Sequence, residues 1–129
     1  MLYSTYRFKT RGVGIISNTQ IIKDTYIGNC ASKFETITKQ NRIIYDGWVE
    51  TNPLGRYINH NRAPNCKVIL DGDFIKLYSI INIDTWEELT INYLDMGRLL
   101  KIPEELRKKI GNKDFDYIPE IIKVETKLI

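Results

Sequence analysis

The sequence predicts a mostly β protein with few short helices. Three observations carry this. Isoleucine occurs 21 times and alanine only twice in 129 residues, and β-branched side chains suit a pleated surface while alanine is the best helix former. Apolar runs are of strand length and are separated by turn residues. Two such runs flank Asp71-Gly72 as a hairpin would. The length fits one domain, and 43% hydrophobic against 27% charged residues allows a buried core.

Tyr3 to Lys9 reads as a first strand, Arg11-Gly12-Val13-Gly14 as a tight turn, and Ile15-Ile16 as a short second strand. Tyr26-Ile27 opens another. Residues 31–42 are polar and without period, so they read as a loop. Asp46-Gly47 and Asn52-Pro53 mark turns. Val68 to Leu70 and Phe74 to Tyr78 form the hairpin, and Ile80 to Ile83 and Leu89 to Tyr93 continue as strands. The best helix runs from Pro103 to Ile110, with Pro at its start, Glu104 and Glu105 in its first turn, and Lys108, Lys109 and Gly111 at its end. Residues 1–97 read as the core, and residues 98–129 as a helix and tail serving as cap or dimer interface.

Composition excludes several classes. No apolar run approaches the roughly 20 residues that span a bilayer, and Arg7, Lys9 and Arg11 interrupt the N-terminal stretch where a secretory signal would be apolar. An intracellular protein follows. Cys30, Cys66 and the single His60 make neither a disulfide framework nor a structural zinc site. The net charge of +3 is uneven. Residues 1–67 hold ten basic and four acidic residues (+6), and residues 68–97 hold one basic and six acidic residues (−5). The acidic stretch suits a basic peptide; the dispersed positive charges do not suggest nucleic-acid binding.

Two segments about thirty residues apart hold the densest information. One is Arg56-Tyr57-Ile58-Asn59-His60-Asn61-Arg62-Ala63-Pro64-Asn65-Cys66, the other Glu87-Glu88-Leu89-Thr90-Ile91-Asn92-Tyr93. Together they resemble the R-F-x-N-H-S-C-x-P-N-C and G-E-E-L-T-x-D-Y signatures of SET-domain protein lysine methyltransferases. Gly12-Val13-Gly14-Ile15-Ile16-Ser17, followed by Ile21-Ile22-Lys23-Asp24-Thr25-Tyr26-Ile27, is similar to the family's G-x-G-V-F-A…I-x-K-G-x-x-I opening. Asp46-Gly47 falls where the family has its I-D-G/A element. The resemblance covers roughly residues 5–95 in the family's order.

It implies a SET-domain β-fold of several short sheets with a pseudo-knot-like chain crossing. It implies methyl transfer from S-adenosylmethionine, without a metal, to a lysine amine in a basic protein or peptide, with a histone tail as the example. Carried over residue by residue, cofactor binding falls to Arg11, Gly12, Val13, Gly14, Asn59, His60 and Tyr93. The substrate channel falls to Cys30, Tyr57 and Tyr93, and catalysis to Tyr93. These residue types suit the chemistry. Glycines admit close approach to a ligand, an asparagine amide can bond the cofactor's charged methionine end, and a tyrosine hydroxyl can orient an amine without ionising.

Four departures bear on this reading. Cys30 stands where the family usually has Tyr, as it does in short stand-alone viral SET proteins of the chlorovirus type, which also suggest a homodimer. Arg62 replaces a zinc-ligand cysteine, and no cysteine cluster follows Tyr93. Trp86 replaces glycine before Glu87-Glu88. Residues 94–97 lack a channel-capping aromatic, for which Phe115 or Tyr117 are candidates. The missing aromatic and Cys30 keep one alternative open, an inactive SET-fold interaction module.

Overall fold

The computed structural model describes residues 1–38 and 43–103. In chain order the elements are β1 (Tyr3–Phe8), β2 (Gly12–Ser17), β3 (Tyr26–Ser32), β4 (Ile43–Tyr45), β5 (Trp48–Glu50), α1 (Leu54–Tyr57), β6 (Asn59–His60), β7 (Cys66–Asp71), β8 (Phe74–Ser79), β9 (Thr90–Ile91) and α2 (Tyr93–Leu99). They form a two-stranded sheet β1-β2, a five-stranded sheet β4-β5-β3-β8-β7 and a two-stranded sheet β6-β9. The expected mostly β class with several short sheets is what forms.

β1 and β2 pair antiparallel from Tyr3↔Ser17 to Phe8↔Gly12. The turn between them occupies residues 9–11, so the expected turn over Arg11 to Gly14 is corrected: the glycine pair lies inside β2. Gly12 has a φ of +78°, which opens the strand from a conformation that L side chains rarely adopt. The segment 86–89 runs along the free side of β2. Ser17 N donates to Glu87 O, Trp86 N to Ser17 O, and Leu89 N to Ile15 O. Buried Ser17 adds a bond from its hydroxyl to Asp84 O at 2.6 Å. This strap brings the Glu88 backbone level with Ile16.

In the large sheet, Asp46 and Gly47 both have positive φ, the requirement of a two-residue hairpin turn matched to strand twist. β7 and β8 close the second hairpin with Asp71↔Phe74, and Gly72 has a φ of +61°. β3 continues into the stretch expected as loop: Ala31 and Ser32 pair with both β5 and β8. Ser32 ends the run by accepting Phe34 N on its hydroxyl at 2.9 Å. Ile80 to Ile83 yields only a bridge between Ile21 and Ile83, not a strand.

Ala31, Val68, Ile75 and Leu77 from the large sheet meet Ile15, Leu54, Leu89 and Ile91 in one core. Each large aliphatic side chain so buried contributes about 1.5–3 kcal/mol. α1 lies across β3, tied by Thr51, whose hydroxyl accepts Gly55 N at 3.1 Å and whose N donates to Cys30 O. The expected strand over Leu89 to Tyr93 stops at Ile91. Asn92 ends it by capping α2, accepting Leu94 N on Oδ1 at 2.9 Å, as N-cap asparagines do. α2 crosses position 97, and Leu100 and Ile102 are buried in the same core. The core therefore extends past residue 97, the boundary read from sequence. The helix expected from Pro103 to Ile110 and the tail lie outside the described residues, apart from Pro103. No helix among the described residues is long and apolar enough to cross a membrane.

Candidate functional site

The two signature segments, far apart in sequence, lie side by side. Asn59 pairs with Thr90 and His60 with Ile91 in the parallel β6-β9 sheet, and Asn61 N donates to Ile91 O. A two-residue pairing is weak alone. Asn65 reinforces it: Nδ2 donates to Glu88 O at 2.8 Å, while Oδ1 accepts Thr90 N at 2.9 Å. Four residues of one segment are thereby fixed against three of the other.

At one end of this pairing Asn59 meets β2. Its Nδ2 donates to Val13 O at 3.3 Å and to Glu88 Oε2 at 2.8 Å. The other carboxylate oxygen of Glu88 accepts Arg11 Nη1 at 2.7 Å, and the Arg11 guanidinium lies 3.9 Å from the Phe8 ring centre. Gly14 sits beneath this group. A Cβ there would lie 2.5 Å from Glu88 Oε2, 2.7 Å from Phe8 Cε2 and 2.9 Å from Asn59 Nδ2. Arg11, Val13, Gly14 and Asn59 are thus brought together as the sequence expects. Gly12 stands at the rim, where a Cβ would meet nothing within 4 Å.

At the other end His60 Nδ1 accepts Tyr93 N at 2.9 Å, which places the ring proton on Nε2. Burial first, and then the nearby Arg62 charge, lowers the His60 pKa, with Asp95 opposing. The Tyr93 ring lies 5.1 Å from the imidazole. Its hydroxyl donates to Ile58 O at 2.7 Å. Burial, followed by the charges of Glu50 and Glu88 and by Cys30, pushes the phenol well above its ordinary value, against a smaller effect of Arg56. Tyr93 is therefore a neutral phenol whose proton is engaged, leaving oxygen lone pairs to accept. Cys30 is fully buried and its thiol is pushed far up by burial, and secondarily by Cys66; Cys66 is pushed up to about 12, also by burial. Both are free thiols and behave as small apolar side chains. Tyr57 is half-buried beneath the Arg56 guanidinium, 5.1 Å from its ring centre.

Sequence reasoning missed Glu88, Phe8 and Asn65 as members of the site. Glu88 and Asn65 stand inside the quoted signatures, so their signal was present. No group of three His, Cys, Asp or Glu side chains among the described residues is placed to hold a metal ion.

This fold of several short sheets, with its paired segments, is similar to that of SET domains. Residues 33–94 match the SET-domain family model, just under half of the chain. Mouse histone-lysine N-methyltransferase SMYD3 is 42% identical over 61 residues, covering 47% of this chain and 14% of that protein. The fission yeast SET domain and MYND-type zinc finger protein 6 is 36% identical over 52 residues, covering 40% of this chain and 10% of that protein. The matched region spans a seventh or less of these relatives. A crystal structure of a candidate histone methyltransferase from Plasmodium falciparum shares the fold, with a TM-score of 0.52 and 20% identity over 70% of this chain and 91% of that one. Over these residues the chain is similar to SET domains and to histone-lysine methyltransferases.

Proposed function

We propose that this chain transfers a methyl group from S-adenosylmethionine to the side-chain amine of a lysine in a basic protein or peptide, with a histone tail as the first substrate to test. The observation that carries the reading is the coupling of Asn59-His60 to Tyr93: one two-residue sheet and one backbone-to-imidazole bond join the cofactor candidates to a buried phenol.

The residues fit the cofactor. Asn59 Oδ1 takes no hydrogen bond from any described residue, which suits an ammonium donor. Arg11 is half-exposed beside it and suits a carboxylate. When bound, S-adenosylmethionine supplies a methyl on a positively charged sulfur; the lysine lone pair forms the new N–C bond as the C–S pair returns to sulfur.

No side chain need attack, so the protein's part is orientation and desolvation, which supply much of such a barrier reduction. Lysine in water is protonated below a pKa of about 10.4. A narrow apolar site disfavours that charge. Buried Cys30, half-buried Tyr57 and the Tyr93 ring supply such surroundings. The Tyr93 oxygen, its own proton held by Ile58 O, accepts an amine N–H and fixes the lone pair's direction.

For the substrate, Asp73, Asp84 and Glu87 are exposed and take no ion pair among the described residues. They favour a basic peptide. The test is transfer from labelled S-adenosylmethionine to a mixed set of histones and basic peptides, with modified lysines mapped by mass spectrometry. Transfer to lysine is expected. Absence of both transfer and cofactor binding refutes the proposal and leaves the interaction-module alternative.

A further inference from the structure

Asn59 could in principle turn either end of its amide toward a ligand, and the two ends have opposite preferences. The nitrogen donates to anions; the oxygen accepts from cations. Here the choice is already made. Both partners of Nδ2, the Val13 carbonyl and the Glu88 carboxylate, are acceptors only. Both N–H bonds are consumed, so Oδ1 is left to face a donor.

We infer that Glu88 is a positioning residue that locks the Asn59 amide with Oδ1 as an acceptor for the ammonium of the cofactor's amino-acid end, and at the same time holds Arg11 ready for the carboxylate of that end. This rests on the cofactor reading proposed above.

Three observations support it. Glu88 uses separate oxygens for the two partners, Oε2 for Asn59 at 2.8 Å and Oε1 for Arg11 at 2.7 Å, so neither contact displaces the other. The Glu88 side chain is largely buried, at 16% exposure against 52% for Arg11, and its backbone is pinned beside β2 by the 86–89 strap and by Asn65. A pinned, buried carboxylate can orient a neighbour; a mobile surface one cannot. Gly14 supplies the third: a side chain there would fill the space through which Glu88 and Asn59 meet. The absence of a Cβ, read from sequence as room for a ligand, first makes room for this contact. Arg11 needs only one nitrogen for Glu88, and its stacking on Phe8 limits where the guanidinium can go.

Glu88→Gln is the informative change, because it keeps the shape. A glutamine has one acceptor oxygen where the carboxylate has two, so it cannot present an acceptor at both the Asn59 and the Arg11 positions. If its oxygen keeps Arg11, its amide donates to Asn59 and turns the amide over, presenting nitrogen to the ammonium. If its oxygen keeps Asn59, its amide faces the guanidinium.

The experiment measures S-adenosylhomocysteine affinity by calorimetry for the wild type, Glu88→Gln, Asn59→Ala and the double variant. Wild-type binding is expected, as is a loss of at least tenfold in each single variant. The double variant is expected to lose no more than the worse single one, because Glu88 acts through Asn59 and, once Asn59 is truncated, the glutamine oxygen is free to keep Arg11. Glu88→Gln within twofold of wild type, or losses that add fully, overturns the inference while the cofactor reading stands. Failure of the wild type to bind overturns both. Should Glu88→Gln not fold, Glu88→Asp takes its place: the charge is kept and the reach is shortened, and the same non-additive loss with Asn59→Ala is expected. Additive loss or unchanged affinity again overturns it.

Discussion

Replacing Tyr93 by Phe separates orientation of the amine from everything else this residue does. The ring beside His60 and the backbone N–H on its Nδ1 are untouched; only the hydroxyl, with its 2.7 Å bond to Ile58 O, is lost. Leaving that carbonyl short of a buried donor costs about 1–2 kcal/mol of stability, a drop in melting temperature of roughly 4–8 °C for a domain of this size. A protein with the usual stability of about 5 kcal/mol or more remains folded at 25 °C after that loss. Any large fall in rate at that temperature then belongs to the site. Loss of the oxygen that accepts the amine N–H is expected to cost well over tenfold, about 2 kcal/mol of barrier or more. The assay is single-turnover methyl transfer at saturating peptide, with S-adenosylmethionine affinity measured in parallel and expected within about threefold of wild type. Undiminished transfer refutes the role given to Tyr93. A loss of cofactor affinity equal to the loss of rate also refutes it, because the hydroxyl would then be holding cofactor and not amine.

Gly55→Ala drives a Cβ into the Cys30 backbone carbonyl; neither backbone can yield cheaply, so the unfolding free energy from denaturant titration should fall by at least the roughly 1–3 kcal/mol of an overpacked core, and an unchanged value would show that α1 is not seated on β3 as described. Gly14→Ala meets only side-chain ends, from Glu88, Phe8 and Asn59, so its stability cost should be smaller while calorimetry shows about a tenfold loss of S-adenosylhomocysteine affinity, worth about 1.4 kcal/mol. His60 has a lowered folded pKa against about 6.5 when unfolded, so the unfolded chain binds more protons in that window. Its contribution to stability is present above pH 6.5 and is lost as pH falls toward the folded value, when Nδ1 takes a proton and can no longer accept Tyr93 N. Thermal melts from pH 7.5 to 5 should show this slope, flattened in His60→Asn, and equal slopes in both proteins would exclude His60 as its source.

The parts of the fold legible in sequence are those fixed by neighbours along the chain. Asp46-Gly47 and Asp71-Gly72 announce hairpins because the turns themselves demand residues at ease with positive φ. The errors arise where a distant contact decides. Gly12 and Gly14 look like a turn, yet their pairing with Phe8 and Tyr6 of β1 draws them into a strand that the 86–89 strap holds further along, at Ile15 to Ser17. Tyr93 follows an apolar alternation that reads as strand, yet the Asn92 side chain caps a helix one residue earlier. The β6-β9 pair is two residues long and joins segments thirty residues apart; no periodicity can be measured over two residues. Only the joint order of the motifs pointed to it.

The site shows the same division, and charge shows it most sharply. Summed along the chain, residues 68–97 carry −5, as if six carboxylates formed one acidic face. In space three of the six are already matched: Asp71 by Lys76 at 2.7 Å, Asp95 by Arg98 at 3.0 Å, and Glu88 by Arg11 from the far end of the sequence. The first two are surface pairs that add little stability, but each removes a charge from the field a peptide would meet. The third pairs a largely buried carboxylate beneath the cofactor candidates. What remains for a basic partner is Asp73 at the β7-β8 turn, and Asp84 and Glu87 on either side of exposed Trp86. Two of these three, Asp84 and Glu87, lie on or beside the strap that also carries Glu88. In the proposed function, the carboxylates of Asp84 and Glu87 left for a basic peptide lie within four residues of Glu88, the one that meets Arg11 and Asn59, a closeness that a sum over sequence cannot separate from the paired charges around it.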